Sequence, residues 1–296
     1  GAVLSGAYFG DRCSPASSSA ALVAAETGTT LYDNLRNMFR TGVLPVALTV
    51  IVYGVLSVRH PITAVDESLL QALRDSAVIS LWALLPAVIM LALPLVKVPV
   101  LISIALSVAA AGTVSVLVQG MTVWDMLKTA LLGYYPTAGQ LKDILSGGGI
   151  VSMAKPAALV FTTGLLAGLL EGTGVLKGAA GLVEKLANRW GSFAASVAVS
   201  LGAGMIFCNQ SVAIVMGNQL LRRCYTDHNE QAVDMENSGI VLSALIPWNI
   251  ACSIPLVMLE VNERAIPYAV LLYMIPLVYG LTKQWVYPAE RQAMKE

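Results

Sequence analysis

Five apolar stretches, at 41–58, 76–96, 98–118, 154–176 and 265–283, each approach the roughly 20 helical residues that cross the hydrocarbon of a bilayer. A chain of 296 residues that is 56% hydrophobic and 12% charged cannot hide that much apolar surface in one water-soluble core. The fold class this predicts is all-α, a polytopic membrane protein. Eighteen basic residues balance eighteen acidic ones, so nothing points to a polyanionic partner, and nucleic acid is set aside. Cys13, Cys208, Cys224 and Cys252 form no CxxC and read as small buried thiols. Lys97 and Pro99 leave almost no linker between the second and third spans, which predicts a tight antiparallel hairpin. The section 119–153 mixes Trp124, Asp125, Lys128 and Tyr134-Tyr135-Pro136 with Gly147-Gly148-Gly149, as segments along a membrane surface do.

Three further apolar segments, 1–24, 192–221 and 235–260, carry polar or helix-breaking residues near their middles. Backbone that leaves helical geometry inside hydrocarbon must find partners within the protein or around a polar cavity, so these are expected to be discontinuous helices. The later pair echoes the earlier one at an offset of about 200 residues: Gly6-Ala7 with Gly202-Ala203, Cys13-Ser14-Pro15-Ala16 with Cys208-Asn209-Gln210-Ser211, and Asn37 with Pro45 against Asn237 with Pro247. Order rather than letter carries the signal, and it predicts inverted repeats. The expected layout is 1–96 as the C-terminal part of a first repeat, 97–153 as a connecting span with interfacial helices, and 154–296 as a second repeat. The counterpart of 154–190 would then precede residue 1, and the chain opens inside an apolar run, so a piece of a longer protein is expected. Single crossings by every segment would send 1–24 and 192–221 across in opposite senses; a re-entrant hairpin at 192–221 is the alternative.

Asp11 is the most suggestive residue. A carboxylate held away from bulk water can take up either a proton or a sodium ion, and that competition is the core of antiport. Arg12, its neighbour, offers the plainer role of a structural ion pair. Ser14 and Ser17 add hydroxyl oxygens, and Pro15 removes a backbone donor and frees a carbonyl, a set that suits a hard cation. Asn209, Gln210 and Ser211 need partners at mid-depth, and Asn249 follows the break at Pro247. Asp11, Ser14, Asn209 and Ser211 are the expected sodium ligands. Glu171, before Gly172-Thr173-Gly174, is a second candidate proton carrier beside Asp11. Glu236 and Asn237 read as an N-terminal cap of the broken helix.

No phosphate loop, GxSxG elbow or HExxH is present, so no enzyme is expected. The run Ser5-Gly6-Ala7-Tyr8-Phe9-Gly10-Asp11-Arg12-Cys13-Ser14-Pro15, with Thr27-Gly28-Thr29 and Leu31 after it, resembles the signature of the NhaC-type sodium/proton antiporter family. Ile246-Pro247-Trp248-Asn249 is similar to that family's later motif. The resemblance implies an ion-transporter fold with inverted repeats and exchange of sodium for protons, with relatives that exchange malate and lactate. Where that family carries acidic and Thr-rich residues after the Ser-Pro, this chain has Ala16-Ser17-Ser18-Ser19.

The expectation is therefore a secondary active transporter exchanging sodium for protons by alternating access, multi-pass in the cell membrane, a bacterial inner membrane. A sodium- or proton-coupled organic-acid antiporter is the runner-up, and a non-transporting membrane scaffold is the reading from another class. Its partners are the lipid bilayer, sodium and protons, with a small carboxylate under the runner-up; a homodimer is open to such a chain. No cofactor is expected, sodium being the transported ligand.

Overall fold

The computed structural model describes residues 1–15, 17–59, 71, 74, 78–96, 98–135, 146–173, 175–259 and 261–286. Apart from one isolated bridge, Tyr134 with Gly147, regular structure among the described residues is helical. Two compact units divide the chain: Gly1–His60 together with Val160–Glu296, and Pro61–Leu159.

The chain opens with α1 (Ala2–Cys13), α2 (Ser18–Thr27) and α3 (Leu31–Arg59). Ser17 ends the gap between the first two by capping α2, its hydroxyl accepting from Ala20 N at 3.1 Å. Gly28, at φ 69° in the left-handed region, closes α2. The expected span 41–58 lies inside α3, whose buried residues Leu35, Met38, Gly42, Pro45 and Thr49 recur every three or four positions, with Asn34 buried beside Leu35. That stripe receives α1 and α2 end to end. Ser5 bonds Tyr53 at 2.8 Å, Arg12 donates to Met38 O at 3.0 Å, and Cys13 and Ala20 share a cluster with Leu35 and Met38. The break at 14–17 thus interrupts a path that continues antiparallel to α3.

In the second unit a 3-10 turn, Leu81–Leu84, leads into α4 (Leu85–Leu95), and α5 (Val100–Leu117) returns against it. Ser107 donates to Pro86 O at 2.8 Å, and Gln119 holds both the N–H and the carbonyl of Val78 at 2.9 Å, so this is the antiparallel hairpin that Lys97 and Pro99 demand. The short α6 (Val123–Leu132) is capped by Thr122. Then come α7 (Ala154–Gly172) and α8 (Val175–Trp190).

The segment 192–221 does not cross once. It forms α9 (Ser192–Phe207) and α10 (Gln210–Leu221), which fold back on one another. A Cβ at Gly217 would stand 3.8 Å from Val199, while Ala203 and Phe207 cluster with Ala213 and Met216 nearer the tip, the register of an antiparallel hairpin. The cause is local. Cys208 sits at φ 54° in the left-handed region and Asn209 is extended, so the chain reverses in two residues.

The next helix, α11 (His228–Met235), is capped by Asp227 and continues through a π turn, Glu236–Ile240, into the single turn α12 (Val241–Ser243). Glu236 and Asn237 are therefore mid-helix, not the N-terminal cap expected from sequence. This run is the centre of the first unit: Gln231, Asp234, Glu236, Asn237, Ser238 and Ser243 are all at most 1% exposed. Residues 244–249 leave helical geometry, and α13 (Ile250–Met258) and α14 (Val270–Val286) complete the unit.

Candidate functional site

Gln210 joins the two sequence breaks. Its Nε2 donates to Asp11 Oδ2 at 3.1 Å and to Ile240 O at 3.0 Å, and its Oε1 accepts from Ser19 Oγ at 3.3 Å. The other carboxylate oxygen of Asp11 accepts from Ser17 Oγ at 2.8 Å. Residues 199 positions apart thus meet through one carboxylate. From that point α2 and α10 run side by side in the same direction, because Asn218 Nδ2 reaches Glu26 O at 3.0 Å at their far ends. Both helices therefore begin beside Asp11, where their N-terminal dipoles favour negative charge.

The break at 244–249 closes on the hairpin tip. Asn249 donates through Nδ2 to Gly204 O at 2.9 Å, Ile250 N bonds Cys208 O at 2.9 Å, and a Cβ at Gly204 would stand 2.8 Å from Ile246 Cδ1. Tyr8, one turn before Asp11, donates its hydroxyl to Ala251 O. Of the residues singled out from sequence, Asp11, Ser17 and Gln210 come together, and Asn209 and Asn249 stand at the tip beside them. The amide oxygens of the last two are engaged as helix caps, Asn209 Oδ1 by Ser211 N at 2.9 Å and Asn249 Oδ1 by Ala251 N at 2.9 Å. Ser14 ends α1 half-buried, with its carbonyl accepting from Ser17 N at 3.1 Å, and Ser211 is exposed. The side chain of Glu171 lies outside the described residues.

Arg12 does not pair with Asp11. Fully buried, it turns the other way and donates to Met38 O at 3.0 Å, Thr41 Oγ1 at 2.8 Å and Asn237 Oδ1 at 2.6 Å. Gly42 gives it passage, since a Cβ there would lie 3.0 Å from Nη1. Beside it stands Glu236 of the π turn, with no exposure.

A second polar cluster also went unread in the sequence. Lys283 Nζ lies 2.6 Å from Asp234 Oδ2, 2.7 Å from Glu230 Oε1 and 2.6 Å from Ser192 Oγ. Tyr225 and Tyr279 each donate to Asp234, at 2.6 and 2.8 Å. Burial and the neighbouring Asp234 carboxylate hold the Tyr225 phenol well above its ordinary value, so it stays a donor. The signal available beforehand was spacing: Gln231, Asp234 and Ser238 fall on one helical face, as do Ser196 and Ser200, whose hydroxyls meet Ser238 at 2.8 and 3.1 Å.

The chain has relatives that share this length of sequence. It is 27% identical over 260 residues to a malate-2H+/Na+-lactate antiporter of Bacillus subtilis, covering 84% of this chain and 56% of that protein. It is 24% identical over 291 residues to the Na+/H+ antiporter NhaC of the same organism, covering 94% and 64%. To the arginine/ornithine antiporter ArcD of Halobacterium salinarum it is 28% identical over 264 residues, covering 84% and 54%. The chain thus spans between half and two thirds of the length of these relatives. No solved structure matches it. The Na+/H+ antiporter family model matches residues 6–282, from the turn before Asp11 to the residue before Lys283, and the chain belongs to that family.

Proposed function

We propose that the whole protein is a secondary active transporter of the cell membrane that exchanges sodium for protons by alternating access. The observation that carries this is the Asp11–Gln210 hydrogen bond of 3.1 Å, which ties a carboxylate in one helix break to the tip of a hairpin remote in sequence. Irregular backbone at membrane depth is tolerated where it lines a polar site, and paired breaks are where transporters of this kind bind their ions. In this reading Asp11 and Ser17 give the first oxygens to sodium, with Ser14, Asn209, Gln210, Ser211 and Asn249 around them, and a proton on Asp11 evicts the ion. The finer architecture proposed with it is a pair of inverted repeats meeting at those breaks.

The test is Asp11→Asn in the full-length protein, followed as sodium-dependent proton flux in proteoliposomes. Loss of the flux is expected, and an unchanged pH profile would remove Asp11 from the mechanism.

A second reading has support of its own. Two helix N-termini at Asp11 and a third, that of α13, on the hairpin tip make a setting that favours carboxylates. Relatives carry the names malate/lactate and arginine/ornithine antiporter. Adding malate, lactate or arginine to the same vesicles separates the two, because a pure cation exchanger gives no substrate-dependent signal.

A further inference from the structure

Five buried side-chain atoms have no hydrogen-bond partner among the described residues: Arg12 Nε, Asn34 Oδ1, both carboxylate oxygens of Glu236, and Asn237 Nδ2. They are not scattered. Arg12 bonds Asn237, and Arg12 and Asn34 both face Glu236, so all five gather where α1, α3 and the π turn meet. Interiors almost always satisfy such atoms, and a carboxylate out of water without donors must carry a proton or a counter-ion. Arg12 does not supply that contact, because its two terminal nitrogens are spent on Met38, Thr41 and Asn237.

The same helix shows what a structural carboxylate looks like. Asp234, two residues earlier, is just as buried and accepts from Tyr225, Tyr279 and Lys283. Glu236 has the burial with only the Asn34 amide turned toward it and no donor in hydrogen-bond geometry on either oxygen. It also stands in a π turn, where the i→i+5 pattern displaces backbone groups from their helical partners, a distortion that recurs at functional sites.

The titratable groups facing Glu236 are Arg12 and Cys13 of α1; Tyr279 of α14 faces Arg12, and α9 offers the serines at 196 and 200 to the next residue but one, Ser238. Arg12 and ionised Glu236 sum to zero. A proton or one monovalent cation adds a single charge, and both together would add two like charges in one low-dielectric place, so they compete one for one.

We propose that Glu236, with the unengaged oxygen of Asn34, is a second carboxylate site, separate from Asp11, that holds either a proton or a monovalent cation of the sodium class. It rests on the exchange reading above but is tested apart from it. In the full-length protein, sodium should remove the infrared carbonyl band of a protonated carboxyl, more completely as pH rises. Because Asp11 would give such a band as well, the reading is taken in Asp11→Asn: the sodium-dependent loss of signal should persist there and vanish when Glu236→Gln is added. Should the Gln variant fail to accumulate, Glu236→Asp serves, and the sodium-sensitive band should then move in position. An Asp11→Asn protein with no sodium-sensitive band, a band that survives there when Glu236→Gln is added, or one unmoved by Glu236→Asp in that background overturns the proposal. A sodium-sensitive band in Asp11→Asn that Glu236→Gln abolishes, in a protein whose wild type shows no sodium-dependent proton flux, supports Glu236 and overturns the exchange reading alone.

Discussion

Helix α3 and the run 228–243 belong to the same unit and break the rule of water-soluble proteins in opposite ways. α3 turns Val43, Ile51 and Val58 outward at 69%, 63% and 82% exposure, and keeps Asn34, Gly42 and Thr49 on its inner stripe. The run 228–243 is polar in composition and almost wholly enclosed. In water the apolar stripe would face inward and the polar helix would be solvated. The inversion is what hydrocarbon imposes: apolar side chains gain nothing by leaving lipid, so helices are held by close packing and by polar groups that satisfy one another. Buried polarity here is the adhesive of the unit and the material of its site, and outward apolarity is its contact with solvent.

The sharpest way to break that contrast is to unbalance the buried network. Lys283→Met removes the cation that faces Asp234 and Glu230 and leaves two carboxylates enclosed. Breaking one side of a buried pair costs about 3–5 kcal/mol, so thermal unfolding in detergent should show a large loss of stability. Adding Asp234→Asn should restore much of it, by cutting the number of unpaired charges. A single variant that melts with the wild type would mean that the polar run is enclosed for reasons other than its pairing.

The apolar half of the contrast was legible in the sequence and the polar half was not. The span at 41–58 lies within α3 and the hairpin at Lys97 is present as α4 and α5, because length and hydropathy alone decide whether a helix can meet lipid. Breaks at Pro15, Asn209 and Pro247 could be seen because proline, asparagine and glycine act locally. What could not be seen was direction. The same kind of break lets α1 run on into α2 yet turns α9 back as α10, and the difference lies in the left-handed Cys208 and in packing from elsewhere. The partnership of Arg12 with Asn237, and of Lys283 with Asp234, joins residues 225 and 49 positions apart, which no local spacing encodes. Lys283 closes the apolar stretch 265–283, and nothing in that position marks a buried partner.

The outward half can be tested at its middle. Ile51→Lys places an ammonium on the exposed face of α3 near the centre of its apolar section. If that face meets hydrocarbon, insertion is opposed by about 2.5–3.5 kcal/mol, and the amount of protein recovered from the membrane should fall accordingly. Against water the same change would stay within about 0.5 kcal/mol, as surface substitutions do, and unaltered yield and melting would sink the lipid-facing assignment.

The smallest expected effect falls on the polar side. Ser238 Oγ donates to Asp234 O at 2.7 Å and meets the hydroxyls of Ser196 and Ser200, so it closes α9 onto the π turn. In Ser238→Ala both partner serines can turn to the carbonyls four residues before them on α9, a bond that serine hydroxyls commonly make inside helices. The loss should therefore be near that of one neutral hydrogen bond, about 1 kcal/mol, seen as a modest drop in melting temperature with sodium-dependent flux retained. A loss as large as that of Lys283→Met would show that the serine contact, and not the ion pair, fixes the polar helix in place, and would reverse the ranking of the two clusters.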